Sequence, residues 1–176
     1  MPHIALRDGA PGIASLFEFD PEAAGPLNQL AQVVLRRPST LTAAERELIA
    51  TYVSTLNGCQ FCAGTHAATA RHLLGPDAEL VEQVRADPAT APVSEKMRAL
   101  LAVAARVQRG GRVDEGTEVA AARAQGATDR EIHDTVLIAA AFCMYNRYVD
   151  GLATLIPGYE VMDGIGARLA AQGYRA

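Results

Sequence analysis

The sequence predicts an all-α fold, a single-domain antiparallel helical bundle that spans residues 1–176. Apolar residues recur at intervals of three and four in several segments, as a buried helix face requires. Two apolar runs each follow a capping box, Thr42 to Glu45 and Thr128 to Glu131. No stretch of useful length alternates apolar and polar residues as a half-buried strand does. With 176 residues and 49% hydrophobic content, the chain is long enough to bury one core.

The N-terminal residues 1–20 contain prolines and glycines without a clear period, and we expect an extended arm there. Asp20 and Pro21 are typical of a helix N-cap and of the first helical position. They predict a helix that runs to about Arg37, where Pro38 ends it.

Similar start and stop signals predict the remaining helices. A glycine or proline follows most of them, and Ser or Thr precedes those with the strongest apolar period. The predicted helices begin and end near Thr42 and Leu56, Cys59 and Leu74, Asp77 and Ala86, Ser94 and Gly110, Asp114 and Ala124, Thr128 and Leu155, and Tyr159 and Gly173.

Charge and composition exclude several classes of protein. The net charge is −4, and no basic cluster is longer than Arg36-Arg37, which argues against nucleic-acid binding. The range 48–70 has no Asp, Glu, Lys or Arg, but its many polar side chains and the Asn57-Gly58 break argue against a membrane span. Three cysteines, without an apolar leader flanked by basic residues, favour a cytoplasmic protein over a disulfide scaffold.

The stretch from Glu47 to His66 contains a candidate redox site. Cys59 and Cys62 form a C-x-x-C motif, and His66 follows four residues later, so one helix face can carry all three. Only a thiolate attacks a peroxide or a disulfide, and a free thiol has a pKa near ~8.5, so a base must take the proton. His66 can act as that base, and Glu47 can hold its imidazole if the Asn57-Gly58 turn folds two helices together.

Three other interpretations compete. The cysteines and histidine can be ordinary core residues, with Glu47 a surface charge. Cys59, Cys62 and His66 can bind zinc, although no fourth ligand is evident nearby. Covalent haem is disfavoured because Ala63 stands where the C-x-x-C-H motif needs histidine.

Glu47, Asn57-Gly58, Cys59, Cys62 and His66 at these spacings resemble the alkylhydroperoxidase D family, within the carboxymuconolactone decarboxylase-like superfamily. The later segment from 127 to 155, with Phe142 and Asn146-Arg147, resembles the peroxidase-related branch of these proteins. Together the two segments cover under a third of the chain.

This resemblance implies an all-helical, AhpD-like thiol peroxidase that forms a homo-oligomer built on a trimer. It implies that Cys62 attacks a small hydroperoxide, that Cys59 resolves the product into a disulfide, and that Glu47 and His66 relay protons. No bound cofactor is implied, because an external dithiol protein of lipoyl or thioredoxin type would reduce the disulfide.

Some points stay open at the level of sequence. A cysteine at a helix N-terminus usually has the lower pKa, which favours Cys59 as the attacking thiol, against the family pattern. Phe61 stands where the best-studied members can carry a histidine. A decarboxylase or isomerase that uses Glu47 and His66 for acid–base chemistry is an alternative, as is a non-catalytic module that senses redox state.

Two residues of the C-terminal half carry separate expectations. Cys143 lies in an apolar run, and we expect a buried core thiol. Arg147 follows a long uncharged segment, and we expect it to form an ion pair or a subunit contact.

Overall fold

The structure is a computed structural model that describes residues 1–111 and 117–174. Within these ranges it contains nine α-helices, one short 3-10 helix and no strand, which confirms the predicted all-α fold. In chain order the helices are α1 (Gly12–Phe19), α2 (Pro21–Arg36), α3 (Ala43–Leu56), α4 (Gln60–Leu74), α5 (Leu80–Ala86), α6 (Glu95–Gly110), α7 (Glu118–Ala124), α8 (Asp129–Gly151) and α9 (Tyr159–Gln172), and the 3-10 turn is Gly75–Asp77.

The helices α3 and α4 form a hairpin at the centre of the bundle. Helix α9 packs on the other side of α4, while α6 and α8 pack against α3. The interior between them is filled by aliphatic and aromatic side chains that are completely or almost completely buried, among them Leu35, Ile49, Leu101, Ile138 and Phe142. The hairpin therefore places its side chains at the middle of the molecule.

Both predicted capping boxes are present. The Thr42 hydroxyl accepts from the Glu45 N–H at 3.1 Å, and the Glu45 carboxylate accepts from the Thr42 N–H at 2.8 Å. Thr128 and Glu131 repeat the arrangement at 3.2 Å and 2.8 Å. Each box satisfies N–H groups that the first turn of a helix leaves without partners, and so fixes where α3 and α8 begin.

The expected extended arm is wrong for part of residues 1–20, because Gly12–Phe19 forms α1. Leu16 is only 1% exposed, and the Gly12 N–H donates to the Leu155 carbonyl at 2.9 Å. The eight residues of α1 are too few for a clear period in the sequence. Burial of its apolar face against α2 and α8 stabilises a helix that would be marginal alone.

Other boundaries differ by a few residues. The helix predicted from Asp77 starts at Leu80, after the 3-10 turn. The helix α8 ends at Gly151 rather than near Leu155, because Ala153 adopts a positive φ of 49°. The predicted start of α7 at Asp114 lies outside the described residues.

Two expectations for the C-terminal half need correction. Cys143 is only partly buried, and its sulfur lies 3.6 Å from the Asn57 side-chain nitrogen. Arg147 is exposed and donates to the Cys143 carbonyl at 2.8 Å, without an ion pair to any residue in the described ranges. Its long side chain reaches water, which removes the need for an internal acidic partner. The alternative expectation, a subunit contact of Arg147, stays a prediction.

Candidate active site

A tight turn between α3 and α4 positions the two cysteines. Gly58 has a φ of 74°, a left-handed conformation that glycine adopts without strain, and it turns the chain back on itself. Cys59 is the N-cap of α4, and its N–H donates to the Ser54 carbonyl at 3.1 Å. Cys62 follows three residues later in the first turn, and the two thiols are close enough to share a hydrogen bond.

A chain of amide and hydroxyl groups holds this turn. The Asn57 side chain donates to the Asn146 Oδ1 at 2.8 Å and accepts from Gln108 at 2.9 Å. Asn146 in turn donates to the Ser54 hydroxyl at 3.1 Å. These bonds join α3, α6 and α8 behind the turn, so Asn146 helps to fix the position of Cys59.

The two thiols have different surroundings. Cys59 is completely buried, whereas Cys62 is 4% exposed and lines a cavity. The hydrogen bond with Cys62, together with burial, raises the pKa of the Cys59 thiol above its ordinary value. Cys59 therefore keeps its proton, contrary to the expectation that its place at the helix N-terminus would lower its pKa.

Glu47 and His66 meet across the α3–α4 hairpin, as the sequence predicts. The Glu47 Oε2 lies 2.7 Å from the His66 Nδ1, and Glu47 is completely buried. A carboxylate at this distance accepts the Nδ1 proton, which fixes the tautomer and leaves Nε2 as the free nitrogen of the ring. His66 also lines the cavity, one helical turn after Cys62 on α4.

Two residues that the sequence did not single out complete this cluster. Arg36 of α2 places its Nη2 2.6 Å from the Glu47 Oε1. Tyr174, beyond α9, donates its hydroxyl to the same oxygen at 2.7 Å and lies 3.1 Å from the His66 Nδ1. The Arg36 guanidinium also lies over the Tyr174 ring, 5.1 Å from its centroid. Glu47 thus has three polar partners from three different parts of the chain.

These partners decide the charge of Glu47. Burial alone raises the pKa of a carboxyl group, but His66, Arg36 and the Tyr174 hydroxyl outweigh burial, so the pKa of Glu47 is lower than usual. Glu47 is therefore ionised at neutral pH. Burial and the nearby negative charge of Glu47 raise the pKa of Tyr174 well above its ordinary value, so Tyr174 remains a hydrogen-bond donor.

The cavity next to these residues has a volume of about 510 Å³. Side chains from α1, α2, α4, α8 and α9 line it, and most of them are apolar, including Ile13, Phe17, Leu27, Phe142 and Ile165. The rings of Phe142 and His66 pack in a T-shaped arrangement, with centroids 4.5 Å apart. The thiol of Cys62 and the imidazole of His66 are thus presented to a largely apolar space.

The described residues offer neither a cluster of metal ligands nor a membrane span. In residues 1–111 and 117–174, no three His, Cys, Asp or Glu side chains converge as metal ligands. Cys59, Cys62 and His66 are therefore not arranged as three zinc ligands. No helix in the described ranges has both the length and the apolar character of a membrane span.

Comparisons with known proteins agree with this architecture. Residues 21–91 match the carboxymuconolactone decarboxylase family, and this range contains Glu47, both cysteines of the motif and His66. A comparison with curated proteins gave no significant match.

Solved structures are similar over most of the chain. An uncharacterized peroxidase-related protein from Silicibacter sp. TM1040 is 28% identical, with a TM-score of 0.77 over 88% of this chain and 79% of that protein. A peroxidase-related protein from Ralstonia eutropha JMP134, described as an alkylhydroperoxidase AhpD core, is 22% identical, with a TM-score of 0.78 over 89% of this chain and 81% of its own. An Agrobacterium tumefaciens protein of unknown function, described as a candidate antioxidant defence protein AhpD, is 24% identical, with a TM-score of 0.69 over 84% of this chain and 99% of its own. All three have the same fold.

Proposed function

Because the chain belongs to the carboxymuconolactone decarboxylase superfamily and has its alkylhydroperoxidase D-like fold, we propose that it is a thiol-dependent peroxidase. One observation carries this proposal. Cys62 lines an apolar cavity together with His66, while Cys59 lies buried within hydrogen-bond reach of Cys62. A reactive thiol, a base and a resolving thiol are the three groups that such a reaction needs.

We assign the first step to Cys62. Its thiolate attacks one oxygen of the peroxide R–O–OH, the O–O bond breaks, and the sulfur becomes a sulfenic acid while the alcohol R–OH leaves. Cys62 is preferred over Cys59 because it faces the cavity, whereas Cys59 is completely buried and has a raised pKa. The family pattern implies the same order.

The proton path runs through His66. Its Nδ1–H is held by Glu47, so the Nε2 lone pair can take the Cys62 proton and later return it to the leaving alkoxide. Arg36 and Tyr174 are positioning residues in this scheme, because each of them contacts the Glu47 carboxylate that holds His66.

In the second step the Cys59 thiol attacks the Cys62 sulfenic acid, which releases water and forms the Cys59–Cys62 disulfide. An external dithiol protein, of lipoyl or thioredoxin type, then reduces the disulfide and is itself oxidised. No bound cofactor takes part. We propose a cytoplasmic location, because a reducing compartment keeps both thiols ready for reaction.

The role of the cysteines distinguishes the proposed peroxidase from two alternative functions. A lactone decarboxylase or isomerase would use the Glu47–His66 pair and has no need of Cys62. A redox-sensing module would form the disulfide once, without turnover.

The test is a peroxide titration of the reduced protein. A stoichiometric dose of tert-butyl hydroperoxide should remove two thiols and two hydrogens of mass, and peptide mapping should find the Cys59–Cys62 disulfide. Cys62→Ser should abolish the reaction, while the matched control Cys143→Ser should react like the parent. A Cys143 cross-link as the main product would overturn the assignment, and oxidation without catalytic turnover in the presence of a dithiol would favour the sensor.

The relay is tested by His66→Ala and Glu47→Gln. Each should slow thiol oxidation at neutral pH by roughly the 10²–10⁴-fold that a lost general base costs. The rate should recover in part as the pH rises toward ~8.5, where hydroxide can deprotonate an unassisted thiol. Parent-like rates in both variants at neutral pH would contradict the relay.

A further inference from the structure

Resting on the proposed peroxidase function, we infer that the substrate is an amphipathic hydroperoxide with a long apolar chain and a carboxylate, which Arg168 and Asn28 bind at the mouth of the cavity. The inference follows from the size of the cavity, the chemistry of its walls, and the two polar side chains among them, Arg168 and Asn28, that have no partner in the described ranges.

The cavity is much larger than hydrogen peroxide. A water molecule or a methylene group occupies roughly 30 Å³, so hydrogen peroxide would occupy roughly 60 Å³. The cavity of about 510 Å³ could instead hold about 17 groups of that size. A substrate that fills it has a long chain or a ring system of similar volume.

The walls favour the apolar part of such a substrate. They are formed mainly by aliphatic and aromatic side chains, and no Asp or Glu is among the described residues that line the cavity. Each methylene group that moves from water into such a site contributes about 0.8 kcal/mol, close to a fourfold gain in affinity. A small peroxide gains little of this stabilisation, so chain length should govern binding.

The mouth carries the polar groups that would recognise the other end. Cys62 is 4% exposed, whereas Arg168 of α9 is exposed, so the thiol lies at the buried end and the guanidinium at the solvent end. Arg168 is the one lining side chain with a permanent charge among the described residues. Neither the Arg168 side chain nor that of Asn28 in α2 forms a hydrogen bond or ion pair with another residue in the described ranges. A guanidinium and an amide N–H₂ together suit a carboxylate.

The peroxide reaction leaves this recognition intact. Attack of the Cys62 thiolate breaks the O–O bond of the substrate and converts its –OOH group to –OH, while the carboxylate and the chain do not change. The product, a long-chain hydroxy acid, is therefore a stable probe of the same site. Its binding can be measured without any turnover.

The experiment is calorimetric titration of the reduced protein, below the micelle concentration, with hydroxy acids of about 8 to 18 carbons and with their methyl esters. Affinity should rise about fourfold per added methylene group until the cavity is full. Each acid should bind about two- to fivefold more tightly than its ester, as an exposed ion pair allows. Arg168→Gln should remove the preference for the acid, and Arg168→Glu should reverse it.

The matched control is Arg123→Gln, an exposed arginine of α7 that does not line the cavity. It should keep both the dependence on chain length and the preference for the acid. Equal binding of acid and ester, or no dependence on chain length, would overturn the inference. If tert-butyl hydroperoxide still oxidises Cys62 in that case, the peroxidase proposal stands. If the hydroxy acids bind as expected but no hydroperoxide oxidises Cys62, the peroxidase proposal is refuted and the inferred class of ligand stands.

Discussion

Replacing Arg36 with methionine should show how the buried Glu47 carboxylate is held. Arg36 contributes the nearest partner of Glu47, at 2.6 Å, and its side chain is only 11% exposed. Methionine keeps an unbranched apolar stem but removes the guanidinium. The variant therefore leaves the fully buried Glu47 carboxylate with only His66 and Tyr174 as partners.

Removing one member of a buried ion pair typically costs about 3–5 kcal/mol, because the remaining charge has lost its compensation. For a chain of this length, each kcal/mol lowers the Tm by roughly 2–4 °C, so the expected decrease is about 6–20 °C. His66 and Tyr174 still contact Glu47 and offset part of the loss. Because Glu47 holds the imidazole of His66 in place, thiol oxidation should also slow in the same variant.

The loss of stability should depend on pH. In the parent, the pKa of Glu47 in the folded state is lower than usual, so its contribution is present above the ordinary value near ~4.3 and is lost as pH falls through the folded value. Without Arg36, one of the groups that lower the pKa of Glu47 is lost, so this pKa in the folded state should be higher than in the parent. The variant should then gain less stability than the parent as pH rises, so the difference between them should widen between about pH 4 and pH 7.

Urea unfolding at several pH values, at one fixed protein concentration, measures this difference. Glu47→Gln and the double variant complete a cycle, in which the double variant should cost clearly less than the sum of the single ones. Arg123→Met is the control, because its ion pair with Asp129 is exposed and worth at most about 1 kcal/mol. A loss below about 1 kcal/mol in Arg36→Met, unchanged with pH, would refute the proposed role of Arg36.

Three further predictions concern the fold and the assembly. Glu131→Gln should destabilise the protein by about 1–3 kcal/mol at neutral pH, as measured by urea unfolding. The difference in stability between variant and parent should vanish as pH falls from ~4.3 toward the pKa of Glu131, about 2. Gly12→Ala should lower the urea midpoint far more than the control Gly9→Ala, because both have positive φ but only a Cβ at Gly12 would meet the Phe61 ring, at 2.2 Å. Light scattering should find a homo-oligomer, which we propose to be a trimer, in accord with exposed apolar residues such as Leu155 and Ile156; a monomer at micromolar concentration would contradict it.

Much of the fold could be predicted from the sequence because its signals are local. A capping box joins residues only three positions apart, so Thr42 and Thr128 indicate the starts of α3 and α8 without any knowledge of tertiary contacts. The pairing of Glu47 with His66 was also predictable, since Gly58 marks a turn between two short helices and a hairpin brings their facing sides together. The family resemblance of the same stretch pointed to the same residues.

Other features could not be predicted in this way. Helix α1 was missed because eight residues give too weak a period, and its stability depends on helices that follow it in the chain. The pKa of the Cys59 thiol was expected to be lowered by the helix N-terminus. Burial and the neighbouring Cys62 thiol outweigh that effect, and neither can be judged before the helices are packed.

The sequence by itself determined the all-α class, the starts of the main helices, and the presence of two cysteines and a histidine on one helix with a glutamate on the helix before it. Only the tertiary structure decided that Arg36 and Tyr174 hold Glu47, and that Cys62 rather than Cys59 faces the cavity. The physical reason is distance along the chain. Backbone hydrogen bonds and caps act over three or four residues, whereas Tyr174 reaches Glu47 across 127 positions, and such a contact exists only once α9 has packed against α4.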